Sequence, residues 1–334
     1  NVFPTIGKEI IGNLSPETLT NLLDNLYYDK KRSFSSVSNL HSLLLSMAKY
    51  AVKKGYLESF DRDEFPVPKR DEDAAMEEHN EQNRDTVPAE KLDAIFERFD
   101  ENSSVFLPMV ISLLAGARIG EACAIAVEDC DFENRLLHIR RQFTADNKFQ
   151  ICNPKNNSKR VVPMCDSLYE ILKAAVEKRE RNMREWGGNY IRTYLQKANN
   201  TPTYRNLHGF YNINYDGNGN EIHFLNVTEY GKIIYPSVLK HSARVIHGYS
   251  TNPKNKKKKG KAIYKYYNNH SLRHTFASRL NSLGVPDYVI SALLGHKKQA
   301  SQNASRTTQK YIHLSNEDLL KYAPIIEKVY TFKR

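Results

Sequence analysis

No apolar run in this 334-residue sequence approaches the roughly 18 to 20 residues that a bilayer-crossing helix needs. No secretory pattern opens it either, since Lys8 and Glu9 interrupt any apolar stretch. Cysteine is scarce: the four residues Cys123, Cys130, Cys152 and Cys165 include no CxxC pair. That argues against a disulfide framework and a thiolate zinc site, and the four read as reduced thiols of a cytosolic protein. No internal repeat is visible, which argues against a solenoid or propeller. The first residue is Asn and not Met, which predicts a fragment of a longer chain.

Negative charge is missing from one long stretch. Tyr230 to Pro286 spans 57 residues without Asp or Glu, against twelve Lys/Arg that include Lys256, Lys257, Lys258 and Lys259. A lysine run alone is commonly a solvated loop, but so long an acid-free stretch suits the neutralising of phosphates. Over the whole chain, 49 Lys plus Arg face 38 Asp plus Glu, a formal +11. Residues 1–85 hold 11 basic and 15 acidic residues, a net −4, which leaves +15 for the rest. Seven of those acids fall in 71–85, which has no apolar period and reads as solvated linker. A polyanion is the partner that this distribution calls for. With 40% hydrophobic residues, the chain has the apolar material for real cores.

The patterning predicts a mainly α fold with a small antiparallel sheet. Ser15-Pro16 marks a helix start, followed by Leu19, Leu22, Leu23 and Leu26 on one face. A second helix is expected from about Ser36, with Leu40, Leu43, Leu44, Met47 and Ala51 in register and Gly55 at its end. Residues 60–85, with Pro66 and Pro68, read as linker. Beyond it, helices are expected over 89–99, 105–117, 167–184, 271–282, 286–294, 307–313 and 316–330. Strands are expected over 136–143 and 160–163, with a turn at 153–157.

Four short strings carry chemistry. Arg118, in Ala117-Arg118-Ile119-Gly120-Glu121, closes an apolar helix. A guanidinium there needs an anion or hydrogen-bonded partners, and Glu121 three residues on could simply pair with it. His270-Ser271-Leu272-Arg273-His274-Thr275-Phe276-Ala277 puts His270 and Arg273 on one helical face. Leu293-Leu294-Gly295-His296 sets an imidazole beside a chain reversal, and Tyr311 follows Thr307-Thr308. Each string alone is ordinary: a C-cap with a polar neighbour, or one tyrosine among twenty.

Together, in this chain order, they resemble the tyrosine recombinase (phage integrase) family. The resemblance implies a helical core-binding domain at 1–59, a linker at 60–85 and a catalytic domain with a C-terminal helix at 86–334. It implies the catalytic set Arg118, Lys155, His270, Arg273, His296 and Tyr311, with Glu121 orienting Arg118. Lys155 is eight residues before Pro163 in the setting of the family's hairpin lysine, with Lys159 as competitor. Tyr322 and Tyr330 are alternatives to Tyr311, which stands fifteen residues after His296, several more than is usual in the family. The stretches 187–221 and 249–266 look like insertions. Phosphate contacts are expected from Lys240, Arg244, Lys256, Lys257, Lys258, Lys259 and Arg160.

The activity so implied is metal- and ATP-independent recombination of double-stranded DNA through a 3′-phosphotyrosine, serving a prophage or conjugative transposon. A homotetramer on DNA held by exchange of the C-terminal helix, an accessory DNA-bending or excision protein, and a bacterial cytoplasmic, nucleoid-associated location go with it. No cofactor and no metal is expected. The alternatives are a type IB topoisomerase, a catalytically inactive DNA-binding regulator, and a two-metal nuclease built on Glu128, Asp129 and Asp131.

Overall fold

The computed structural model describes residues 7–8, 15–71, 86–144, 150–196, 201–208, 212–213, 219–249, 260–268, 270–296 and 314–332. The chain divides into two compact units, Asn1–Asn83 and Arg84–Arg334.

In the first unit, α1 (Pro16–Asp24) starts where Ser15 Oγ accepts the Thr18 N–H at 3.1 Å, a side-chain N-cap. A π-helical turn over Asn25–Asp29 follows. α2 (Phe34–Lys53) is capped by Ser33, and Tyr56 N–H closes its far end on the Ala51 carbonyl at 2.9 Å. Its buried face is Val37, His41, Leu44, Ala48 and Ala51. Leu43, expected on that face, is one residue out of phase and 65% exposed.

The expected linker start at residue 60 needs correction. Phe65 is fully buried with Leu19, Leu23 and Val37, and His41 Nε2–H donates to the Phe65 carbonyl at 2.8 Å. Tyr28 OH donates to the Lys69 carbonyl, and Asp71 N–H to the Tyr27 hydroxyl. Burying one phenyl ring contributes about 2 to 3 kcal/mol, enough to hold this strap on the helices through residue 71.

The second unit is anchored from its first residues, where Val87 N–H donates to Thr275 Oγ1 at 2.9 Å. α3 (Ala89–Arg98) and α4 (Phe106–Leu114) lead into it, and every α4 residue from Pro108 to Leu114 is buried. α4 ends three residues short of the expected Ala117, where Gly116 turns the chain at φ +59°. A single helical turn, α5 (Ile119–Ala122), follows.

β1 (Cys130–Asp131), β2 (Leu136–Ile139) and β5 (Arg160–Pro163) form an antiparallel sheet in the order β1-β2-β5, with Leu137 opposite Val162. The strand expected over 136–143 is broken, because β3 (Gln142–Phe143) pairs instead with β4 (Ile151–Cys152). The break falls at Arg140 and Arg141, which both turn to the buried Asp129 carboxylate. Next come α6 (Asp166–Trp186) and a four-stranded sheet that falls almost wholly in the suspected insertion. Its strands are β6 (Arg192–Gln196), β7 (Pro202–Arg205), β8 (Asn212–Ile213) and β9 (Gly219–Ile222), in the order β8-β7-β6-β9. Thr193, Tyr194, Thr203 and Tyr204 give it the β-branched and aromatic content that strands favour.

α7 (Ser237–Ile246), α8 (Ser271–Ser282) and α9 (Asp287–Leu294) complete the helical layer. The single helix expected over 316–330 is two, α10 (Asn316–Leu320) and α11 (Ala323–Glu327). Pro324 has no N–H to continue the ladder of α10. In this single chain the segment sits on its own unit. Ile326 and Val329 are fully buried, Tyr330 OH donates to Asp93 at 2.9 Å, and Arg279 Nη1 donates to the Val329 carbonyl at 3.0 Å.

Candidate active site

The site is built around Glu121, whose side chain has no exposed surface. Its Oε2 accepts the Arg118 backbone N–H at 2.8 Å, and its Oε1 accepts Arg118 Nη1 at 2.9 Å. This is a capping arrangement that fixes both residues at the start of α5. Arg160 Nη2, arriving from β5, donates to Oε2 at 2.8 Å, and Arg273 Nη1, from α8, lies 3.9 Å from the same oxygen. Burial alone would raise the Glu121 pKa. The hydrogen bond and charge of Arg160, then those of Arg118, outweigh it and hold the carboxyl below its ordinary 4.5. Three guanidinium groups against one carboxylate leave a surplus of positive charge at this spot.

Arg273 is 7% exposed and held by backbone. Its Nη1 donates to the Gly116 carbonyl at 2.5 Å and its Nη2 to the Leu294 carbonyl at 2.7 Å. Gly116 can offer that carbonyl because a Cβ there would meet the Phe276 ring at 2.7 Å, so only glycine fits the approach. Burial, then Arg118 and Arg160, push the Arg273 pKa down to about 9, which still leaves it charged at pH 7. Arg160 Nε is tied to the Leu293 carbonyl at 2.7 Å. Gly295, at φ +66°, ends α9 where a Cβ would come within 2.9 Å of Arg160 Cδ.

Arg273 Nη2 lies 3.1 Å from His296 Nε2. Arginine only donates, so Nε2 accepts and the His296 proton sits on Nδ1, available to a ligand. Burial, then Arg273, Arg118 and Arg160, lower the His296 pKa from 6.5, so the ring is neutral at pH 7. His270 is the N-cap residue of α8 and is exposed. Burial by its neighbours, then the fields of His274, Arg273 and Arg118, lower its pKa also, against the pull of Glu121.

The structure thus brings Arg118, Glu121, Arg160, Arg273 and His296 together, with His270 in their field. Lys155 stands apart, exposed on the turn Lys155–Asn157 between β4 and β5. The turn leads into Ser158, whose Cβ abuts Gly295 beside His296, and Lys159 is exposed as well. Lys240 is exposed on α7, and Arg244, four residues on, lies over the Tyr249 ring at 5.8 Å. Tyr311, the helix expected around it, and Lys256, Lys257, Lys258 and Lys259 lie outside the described residues. Of the alternative tyrosines, Tyr330 is buried, and burial with its bond to Asp93 raises its pKa, which suits a packed ring and not a nucleophile.

One expected role is corrected. Arg160, counted among the DNA contacts, has a side chain 5% exposed and turned inward to Glu121. A charge just before Val161-Val162-Pro163 on a sheet strand was the available signal, since a guanidinium there requires a buried partner. The carbonyls of Gly116 and Leu294 as arginine anchors had no signal of their own. The acids of the nuclease reading are also engaged elsewhere. Asp129 holds Arg140 and Arg141, Glu128 holds His223, and Asp131 holds Asn134. Among the described residues no group of His, Cys, Asp and Glu could hold a metal ion.

Arginines and a neutral histidine held together in an α+β unit are the groups that a protein handling phosphate esters requires. Residues 87–318, well over half of the chain, match the phage integrase family, and the chain belongs to that family.

The transposase from transposon Tn916 of Enterococcus faecalis is 26% identical over 242 residues, 69% of this chain and 49% of that protein. A XerC-like tyrosine recombinase of Caldanaerobacter subterraneus subsp. tengcongensis is 25% identical over 304 residues, 87% of this chain and 65% of that protein. The chain spans about half the length of the transposon relatives it matches. Two solved structures share the fold. The Tn1549 transposon integrase in complex with circular intermediate DNA has a TM-score of 0.52 at 15% identity, covering 97% of this chain and 83% of its own. A lambda integrase dimer bound to a core site has a TM-score of 0.50 at 14% identity, covering 89% and 81%.

Proposed function

We propose that this chain is a site-specific DNA recombinase that integrates and excises a transposon-like mobile element. The observation that carries this reading is the Glu121-centred set: three arginines oriented before any substrate arrives, with a neutral His296 hydrogen-bonded to one of them.

In the proposed reaction the Tyr311 phenol oxygen attacks the phosphorus of a DNA backbone phosphate, and its proton passes to His270. The lowered pKa of His270 supports a neutral ring able to take it. Charge that builds on the non-bridging oxygens meets Arg118 and Arg273, whose forked donors are always charged. His296 adds a hydrogen bond through Nδ1. The 5′-oxygen leaves with a proton from Lys155, whose turn abuts the His296 segment. A 3′-phosphotyrosine bond replaces the broken phosphodiester bond, so the ester is conserved and a second 5′-hydroxyl can reverse the step. The unit at 15–71 serves as the core-binding domain, Lys240 and Arg244 contact phosphates, and the active form is a multimer on DNA.

The test is a suicide duplex carrying the element's own ends. The intact chain should give an SDS-stable adduct, and Tyr311→Phe should give none while still binding the duplex. Joining of two different duplexes is the expected recombinase outcome. Relaxation of plasmids without joining would assign a topoisomerase, and no adduct from the intact chain would remove the catalytic reading.

A further inference from the structure

A cavity of about 770 Å³ opens among α6, the turn leading into α4, and the segment 225–234. It shares no residue with the Glu121 cluster. Phe106, Leu107, Ile171, Leu225 and Ile234 give it apolar walls, and α6 contributes Arg179.

Arg179 is the anomaly. It is 8% exposed, yet its Nε has no hydrogen-bond partner. No ion pair among the described residues includes it. Its guanidinium lies over the Tyr190 ring at 5.7 Å, and the buried Tyr190 hydroxyl is without a partner too. Stacking on a ring offsets only part of the cost of burying a guanidinium. Glu101 and Glu229, the two acids at the cavity, are exposed and make no ion pair with it.

We propose that this cavity binds a small organic carboxylate, with the carboxylate on Arg179 and an apolar body against Phe106, Leu107 and Ile171. The volume is in the range of small-molecule sites, which combine apolar walls with few placed polar groups. The apolar walls, from which a DNA backbone would gain nothing, favour the small molecule; the lining charges, Lys178, Arg179 and Arg181 with Glu101 and Glu229, do not decide between them. The site is independent of the recombinase reading.

Trp186, the one tryptophan of the chain, reports on it, because its ring lies 5.7 Å from that of Tyr230 on the cavity wall. Phenylbutyrate titrated into the full chain should change Trp186 fluorescence saturably, with a dissociation constant on the order of 1 mM. Arg179→Met should weaken that binding about tenfold or more, and so should replacing the probe by its neutral amide. Leu107→Trp, read by calorimetry, should fill the cavity and block the probe with Arg179 left in place. Since Arg179→Met removes a mostly buried guanidinium that makes no ion pair among the described residues, its melting temperature should hold or rise. No saturable change, equal binding of acid and amide, or displacement by equimolar inorganic phosphate would overturn the proposal. So would a fall in the melting temperature of Arg179→Met, which would make the residue a structural one.

Discussion

A cluster of three arginines and a lone buried arginine lie at opposite ends of α4, a nine-residue helix about 14 Å long. Past its C-terminal end, Arg118, Arg160 and Arg273 share Glu121 and three backbone carbonyls, those of Gly116, Leu293 and Leu294. At its N-terminal end, Arg179 faces a cavity with a tyrosine ring as its only described contact of that kind. The chemistry of the side chain is the same, so the difference lies in what surrounds it. A guanidinium tied to a carboxylate and to carbonyls is part of the fold and is positioned for a second anion. One left without them rests on packing and a ring, and the proposed carboxylate would give it the partner that the fold does not.

The largest effect should come from taking the counter-charge out of the paired end. Glu121→Gln keeps the shape but leaves three arginines around a neutral amide. Urea unfolding should show a loss of about 3 to 5 kcal/mol, the scale for breaking a buried ion pair. The pH dependence gives a separate check. The folded-state pKa of Glu121 is depressed, so its contribution is present above pH 4.5 and is lost as pH falls through the lower folded value. The variant should lack that slope. A variant as stable as the parent would mean that the cluster does not depend on its carboxylate.

Arg160 separates positioning from DNA contact. Arg160→Met should slow adduct formation on the suicide duplex about 10- to 100-fold, because Glu121 and the Leu293 carbonyl lose a fixed donor. The salt dependence of duplex binding should stay the same. A phosphate-contacting arginine would instead lower the salt slope by about one and leave the rate of the bound complex alone.

The paired end also imposes a pH limit, since its positive surplus disfavours further protons. His270 and His296 titrate below 6.5, so cleavage should be flat around pH 7 and fall only on the acid side of 6.5, as His270 gains a proton and can no longer accept one. Stability should fall in the same direction, because the unfolded histidines bind protons first. A rate that drops already between pH 8 and 7 would exclude His270 as the base.

How much of this was legible in the sequence follows from the reach of each contact. Arg118 and Glu121 are three residues apart, and His270 and Arg273 share one helix start, so short strings carry them. Arg160 takes partners 133, 44 and 39 positions away, and no local string records such distances. The break between α10 and α11 was readable in Pro324. The burial of Phe65 was not, because the segment around it has the composition of a linker and only the helices of the first unit show what it covers. The sheet of β6 to β9 was not legible either, since its order depends on β6 pairing on both edges. For Arg179 the helix over 167–184 was legible; that this one charge lies inward was not.

The smallest effect should come from making the lone arginine resemble the paired ones. Ala175 lines the cavity one helical turn before Arg179 on α6. In Ala175→Glu, a carboxylate at i and the guanidinium at i+4 stand in the favourable order. A cost and a gain oppose each other: the new acid must be partly desolvated, and Arg179 gains an ion-pair partner. Against an already buried cation the pairing should win by a small margin, about 0.5 to 1 kcal/mol in urea unfolding. The same variant should no longer bind phenylbutyrate, because the built-in carboxylate occupies the place of the ligand's. A variant that is destabilised and still binds the probe would put Arg179 out of reach of the cavity, and the contrast between the two ends of α4 would lose its basis.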